Sequence, residues 1–403
     1  MNKLMVNPAL KKSLLLTVTL CFWFAQYVYV PFLTPYLLSL SISATVAGVI
    51  VGAYGLTQLI LRIPLGIALD IHRRHKLVVT IGALLAGLSS IGMLLFPSPA
   101  MLFLSNCLSG VASSAWISYT VLYASYYDGR QTSRAIGTIT VFFQGGVLLG
   151  FLVGGLLVGR YGIQNLFKVS FASGAIGAAL SLFIPHEPAP RGTNVNVASL
   201  LKVVRDRRVV TFSLFCAVSW FVVCSTVFSF STSTARSLGA TGSQLGFFSA
   251  LYCVGTIAGS YFTATRRAHR LGEVRLLVAG YAVLAFYSAA IGFTVNLLYF
   301  YPLHLICGLG NCVLMACTMS FAVREIDPEK KTTAMGCFQS IYCIGITGGP
   351  MVMGALIDHG GKIAAFCAVA ALSLACAILL PFLYSFGFLV SHRNTDSFPA
   401  ASA

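Results

Sequence analysis

The chain has 403 residues, 57% of them hydrophobic and only 9% charged, with a mean hydropathy of +0.86. A soluble domain carries about 25% charged residues, so this chain cannot clothe itself in a water-facing surface. Its formal net charge of +16 would suit a nucleic acid, but no basic patch interleaved with aromatics occurs and the cations gather between apolar runs, so no nucleic-acid partner is expected.

Apolar segments fall at about 13–40, 44–69, 77–98, 100–124, 135–159, 163–185, 209–233, 241–264, 275–297, 300–322, 333–357 and 363–390. Runs of about 20 such residues read as membrane helices, because lipid offers no partner to backbone N–H and C=O groups. The pattern predicts an all-α membrane protein of twelve transmembrane helices. The first run is too long for a signal-peptide core and stays as a helix. Connections are short except at 186–208, where Pro185, Pro188 and Pro190 stop a helix and polar residues follow. That stretch reads as a cytoplasmic linker between six-helix bundles over 1–185 and 209–403. With the N-terminus inside, the inner segments hold Lys11, Lys12, Arg73, Arg74, Lys76, Arg130, Arg134, Arg266, Arg267, Arg270 and others, whereas the outer segments hold only Arg160, Arg236 and Lys362. This bias predicts a multi-pass protein of the cytoplasmic (inner) membrane, embedded in the lipid bilayer with both termini cytoplasmic.

The two halves repeat each other at an offset of 198–199 residues. Asp128 aligns with Asp327, Ala135 with Ala334 and Gly137 with Gly336. Gly146, Gly150 and Gly155 align with Gly345, Gly349 and Gly354, and Gly110 with Gly308. Six helices separate the copies, so the repeat is parallel. Such halves, related by an axis along the membrane normal, are a transporter architecture with its site between them. The twelve cysteines lie in apolar stretches without paired spacing and read as packing residues, not as metal or disulfide chemistry.

Residues Gly66 to Lys76 read GIALDIHRRHK, between the second and third spans. The chain resembles the major facilitator superfamily, and within it the bacterial drug-efflux-type antiporters, which carry Gly-x-x-x-Asp-Arg-x-Gly-Arg-Lys in this loop. Gly66, Asp70 and Arg74 match; Ile71 and Arg73 replace the usual arginine and glycine. The resemblance implies a conformational latch, in which Asp70 caps a helix end and pairs with arginines, here with Arg134. The fifth span, GVLLGFLVGG, resembles the antiporter signature Gly-x-x-x-Gly-Pro-x-x-Gly-Gly, with Phe151 in place of proline. Gly146, Gly150 and Gly154 recur every four residues and, with Gly155, make a close-packing helix face. The eleventh span carries Gly345, Gly349, Pro350 and Gly354, and Pro350 removes a backbone donor and kinks it. These faces are where two bundles would slide or rock.

All ten acids lie in loops, at span ends or in the tail, so no mid-membrane carboxylate carries protons. His304 is the remaining proton carrier, with an interfacial histidine as the alternative; it shares one stripe with Gly308 and Asn311, repeated as Asn106, Gly110 and Ser113. Arg62 either snorkels to the interface or faces the cavity and holds an anionic group. Gln26, Tyr27, Asn106, Trp116, Tyr119, Gln144, Trp220, Tyr252, Asn311, Gln339 and Tyr342 are the other cavity candidates, suited to a partly apolar solute. No P-loop, acid–base pair or nucleophilic triad occurs, so no enzyme, cofactor or metal is expected. The expected function is alternating-access transport of a small organic solute by a monomer, leading to efflux. An importer or facilitator of a small, anionic metabolite and a non-transporting receptor are the alternatives.

Overall fold

The computed structural model describes residues 8–127, 131–185, 206–324, 326 and 331–385. Asp128, Arg130, Asp327 and the linker up to residue 205 lie outside the described residues, as does the side chain of Asp70.

The described residues are helices and short turns. The first half holds α1 (Pro8–Tyr27), α2 (Val30–Ser39), α3 (Ala44–His72), α4 (His75–Leu95), α5 (Pro99–Ser114), α6 (Trp116–Ala124), α7 (Thr132–Tyr161) and α8 (Ile163–Ser181). The second holds α9 (Arg207–Ser225), α10 (Ser231–Ser237), α11 (Gly242–Thr263), α12 (Arg266–Leu271), α13 (Glu273–Phe293), α14 (Phe300–Val323) and α15 (Lys331–Ser385). Among the described residues, ten stretches are long and apolar enough to cross a membrane. They correspond to the expected runs except that α8 is not among them and the last, Ala334–Leu383, covers two. Within α15, Gly361 has φ 78° and ψ 170°, a break that only a residue without Cβ adopts cheaply. Gly162, between α7 and α8, has φ 74° and ψ 170°. The two glycines stand 199 residues apart, the offset of Gly146 and Gly345, so the repeat extends to backbone conformation.

Local chemistry sets the helix ends. Ser43 caps α3, accepting from the Val46 amide at 3.3 Å. Ser98 caps α5 ahead of Pro99, which has no N–H to satisfy. Asp206 accepts the Arg208 and Val209 amides at 2.9 and 3.2 Å and starts α9. Thr241 and Gln244 form a capping box on α11.

Both leading spans are broken at one level. The first run is helical as α1 and α2, with Val28 and Tyr29 between them. In the second half a π-helical turn, Thr226–Phe230, separates α9 from α10. Tyr27 and Thr226 are again 199 residues apart. Hydropathy does not see these breaks, because the interrupting residues are as apolar as their neighbours.

The halves meet along two long helix pairs, α3 with the arm of α15 before Gly361 and α7 with α11, and α2 adds contacts to the π-helical turn, α10 and α11. Glycines make the approach. A Cβ on Gly48 would lie 2.1 Å from the Pro350 carbonyl oxygen, and one on Gly354 2.1 Å from that of Ala44. A Cβ on Gly246 would lie 2.4 Å from the Phe151 oxygen, and the Ser243 hydroxyl donates to the Gly155 carbonyl at 3.2 Å. At the start of α3 the Asp358 carboxylate accepts the Ala44 amide (3.1 Å), the Thr45 amide (2.8 Å) and the Thr45 hydroxyl (2.6 Å). This end of the molecule is sealed. Toward the other ends of α3, α7 and α15, Gly66, Gly137 and Gly336 have no atom within 4 Å of a Cβ position.

The glycine faces divide by task. Gly146 seats α7 on Leu20 of α1, Gly150 on Tyr27 and Val28 at the end of α1, and Gly154 on Val28 and on Phe32 of α2; Gly345 and Gly349 seat α15 on Ala217 and Phe221 in α9. Of the predicted set, only Gly155, Pro350 and Gly354 touch the opposite half. Most of the face expected to slide is thus a rivet inside each half. The cysteines are free, and eight of the twelve are buried among these helices.

Candidate functional site

Between the halves lies a cavity of about 220 Å³. Of the predicted candidates, Gln26, Tyr27, Arg62, Asn106, Trp116, Trp220, Gln339 and Tyr342 line it, joined by Pro350. One wall comes from the first half. There Trp23 packs edge-on against Trp116 (centroids 5.4 Å apart) and 4.4 Å from Phe143. Beside these rings runs a polar strip. Gln26 donates to the Ser109 carbonyl at 3.0 Å and to the Ser113 hydroxyl at 3.1 Å, and accepts from the Ser109 hydroxyl. The Tyr54 hydroxyl shares the Ser113 oxygen at 2.7 Å. The facing wall carries Trp220 stacked on Tyr342, with centroids 5.6 Å apart and planes 20° from parallel.

Arg62 projects between the walls and is 6% exposed. Its guanidinium donates to Gln58 Oε1 (2.6 Å), the Tyr342 hydroxyl (3.0 Å), Gln339 Oε1 (3.3 Å) and the Gln339 carbonyl (3.4 Å). It also lies 5.5 Å from the centre of the Tyr342 ring. The side chain therefore faces the cavity and does not snorkel, since α3 turns it toward α15 and polar acceptors meet it there. Among the described residues, no acid lines the cavity.

Five candidates do not line the cavity. Tyr119 is buried and donates to the Val79 carbonyl at 3.2 Å. Gln144 donates to the Thr256 hydroxyl at 3.0 Å, joining α7 to α11. Asn311 donates to the Tyr252 hydroxyl at 2.8 Å, joining α14 to α11. His304 is fully buried beyond them, stacked on Phe248 and Phe300 and edge-on to Tyr287. Its Nδ1 lies 2.9 Å from the Phe300 carbonyl oxygen, which only accepts, so this nitrogen carries hydrogen. Nε2 lies 3.3 Å from the Ser231 hydroxyl. The expected stripe is real, but it faces α11: a Cβ on Gly308 would meet the Tyr252 carbonyl at 2.0 Å.

Sequence reasoning missed Trp23, Tyr29, Tyr54, Gln58, Phe143 and Phe228 in the lining. Gln58 and Tyr54 stand four and eight residues before Arg62, on its helix face, and that spacing was available as a signal. The aromatics carry no such mark in a chain with 29 phenylalanines. In the latch region, Arg74 precedes α4, Arg134 is exposed on the first turn of α7, and Gly66 faces open space.

An all-helical membrane protein whose two halves enclose an aromatic, largely apolar cavity belongs to the class of polytopic transporters. The sequence matches the family model for the Major Facilitator Superfamily over residues 15–235 and again over 225–400, and the chain belongs to that superfamily. Among curated relatives it is 23% identical over 81% of its length to an uncharacterized MFS-type transporter of Methanocaldococcus jannaschii, covering 86% of that protein. It is also 23% identical over 72% of its length to a multi-drug resistance efflux pump PmrA homolog of Lactococcus lactis, covering 73% of that protein. The fold is similar to that of the nucleoside transporter NupG, with a TM-score of 0.76 at 17% identity over 94% of this chain and 99% of that one. A bacterial homolog of the human lysosomal transporter Spinster gives a TM-score of 0.70 at 16% identity, over 95% and 96% of the two chains.

Proposed function

We propose that this chain is a secondary transporter of twelve membrane helices that exports a small organic solute by alternating access, with no chemical step. Its two bundles span 1–185 and 209–403, joined by 186–208. The break at Gly361 and the apolar α8 support raising the span count from ten to twelve. The observation that carries the reading is the cavity between halves that are sealed at one end and carry unopposed glycines at the other. Both termini lie in the cytoplasm and the chain sits in the inner membrane, a reading supported by the cation bias; the unsealed end then faces the cytoplasm. Export is supported by the glycine pattern of α7 and by the efflux pumps among the relatives. In the opposite state Gly66, Asp70, Arg74 and Arg134 latch the cytoplasmic side. The protein works as a monomer, and protons are the candidate counter-ion.

Mass spectrometry of medium and cells tests this, comparing strains with the chain, with a Gly354→Trp variant and with empty vector. A compound enriched outside only with the unaltered chain supports export, and its loss when the pH gradient is collapsed supports proton exchange. Enrichment inside would replace export by downhill import, which the absence of acids from the cavity lining favours.

A further inference from the structure

Arg62 keeps its charge under all physiological conditions, yet every acceptor around it is neutral: Gln58, Gln339 and Tyr342. No carboxylate among the described residues pairs with it. A desolvated cation without a counter-ion is costly inside a membrane protein and persists where function uses it. The remaining polar atoms point the same way. Arg62 Nε and the indole nitrogens of Trp23 and Trp220 are buried without a partner. Among the described residues they are the fully enclosed polar atoms of the lining that lack a partner, and all three donate and cannot accept. A ligand that completes this site brings acceptors.

Charge and shape narrow it further. Arg62 is the single charged residue of the lining among the described residues, so it balances one negative charge and leaves a dianion half unpaired. A cationic ligand meets repulsion with no acid to offset it. The flat Trp220–Tyr342 stack stands beside the guanidinium, and Tyr342 takes part in both. The volume of about 220 Å³ falls below the roughly 300–1,000 Å³ of sites for drug-sized molecules. We propose that the cavity takes a small aromatic monocarboxylate, its anion held by Arg62 and its ring laid against Trp220 and Tyr342. This rests on the transporter reading for its biological meaning, but the binding claim stands on the cavity alone.

All three tryptophans of the chain line the cavity, so entry of a quenching ring is read directly in their fluorescence. The full chain, in discs of phosphatidylcholine that supply no net anionic headgroup, is titrated with 4-nitrobenzoate, 4-nitrobenzamide and 4-nitrobenzylammonium. The carboxylate is expected to quench saturably, the amide to bind at least tenfold more weakly, and the ammonium not to bind. Arg62→Gln is expected to erase the preference for acid over amide while leaving amide binding intact, and Arg62→Lys to keep the order. Equal binding of acid and amide, preference for the cation, or no saturable quenching by the carboxylate overturns the proposal. So does a tenfold acid preference that survives in Arg62→Gln, which would make Arg62 a strut between α3 and α15. If Arg62→Gln does not fold, the ligand order on the unaltered chain decides alone. Counterflow of labelled 4-nitrobenzoate in proteoliposomes separates the two readings. Binding without counterflow sinks transport and leaves the ligand class, whereas counterflow of the amide alone does the reverse.

Discussion

Replacing Asp358 with alanine removes a carboxylate that reaches from the end of one helix in the second half to the first turn of α3 in the other. Three donors lose their acceptor: the Ala44 and Thr45 amides and the Thr45 hydroxyl. Asp358 is exposed, so charge-assisted bonds there count at the low end of their range. The nearest measured analogue, loss of a helix cap, costs about 0.5–2 kcal/mol, and an anion at a helix N-terminus adds about 0.3–1 kcal/mol. A combined effect of about 1–2 kcal/mol shifts the balance between sealed and unsealed ends by about 5- to 30-fold. Hydrogen–deuterium exchange reads this without labels, because the amides of Ala44 and Thr45 are themselves the reporters. Peptides covering the start of α3 should exchange faster by that factor in Asp358→Ala. Asp358→Asn, which keeps one acceptor oxygen, should fall between. Unchanged exchange in both variants would refute the reasoning and leave the glycine contacts as the whole of the seal.

Gly246→Val puts methyl groups where a Cβ alone would lie 2.4 Å from the Phe151 carbonyl oxygen; it should part α7 from α11 and abolish transport while membrane insertion, read by fractionation, is unaffected. Gly66→Ala should leave thermal stability untouched, since nothing lies within 4 Å of the new carbon, yet slow transport if that face closes in the opposite state; normal transport would remove Gly66 from the cycle. His304→Leu takes the ring partner from the buried Ser231 hydroxyl, with a cost of about 1–3 kcal/mol for a buried group left unsatisfied. Its melting temperature should fall while the pH dependence of transport keeps its shape; a shifted pH profile would restore His304 as a proton carrier.

Hydropathy made the helices legible, because lipid leaves a backbone no other way to satisfy itself. The glycine spacing was legible too, but its target was not. A period of four defines a face of α7 without saying that α1 lies against it at Gly146 and Gly150, Val28 and α2 at Gly154, and α11 only at Gly155. The same limit misplaced His304, whose stripe with Gly308 and Asn311 is genuine but turns toward α11 and away from the cavity. Asp358 read as a loop acid, since its partners stand more than three hundred residues earlier. Arg62 was legible as one of two outcomes, and the choice between them depended on Gln339 and Tyr342 arriving from the other half.

The paired interruptions of the leading spans have a mechanical consequence. A helix crossing a membrane unbroken moves as one rod, and tilting its inner end tilts its outer end. Here α1 and α2, and likewise α9 and α10, are jointed where Tyr27, Tyr29 and Phe228 reach the cavity. Bending at those joints is confined to the level of the cavity, so one arm of each pair can stay packed while the other swings. The joints match in position but differ in substance, tyrosines on one and phenylalanine on the other. A symmetric frame thereby presents an unsymmetrical pair of walls, and a solute with one polar and one apolar edge has a single way to lie between them.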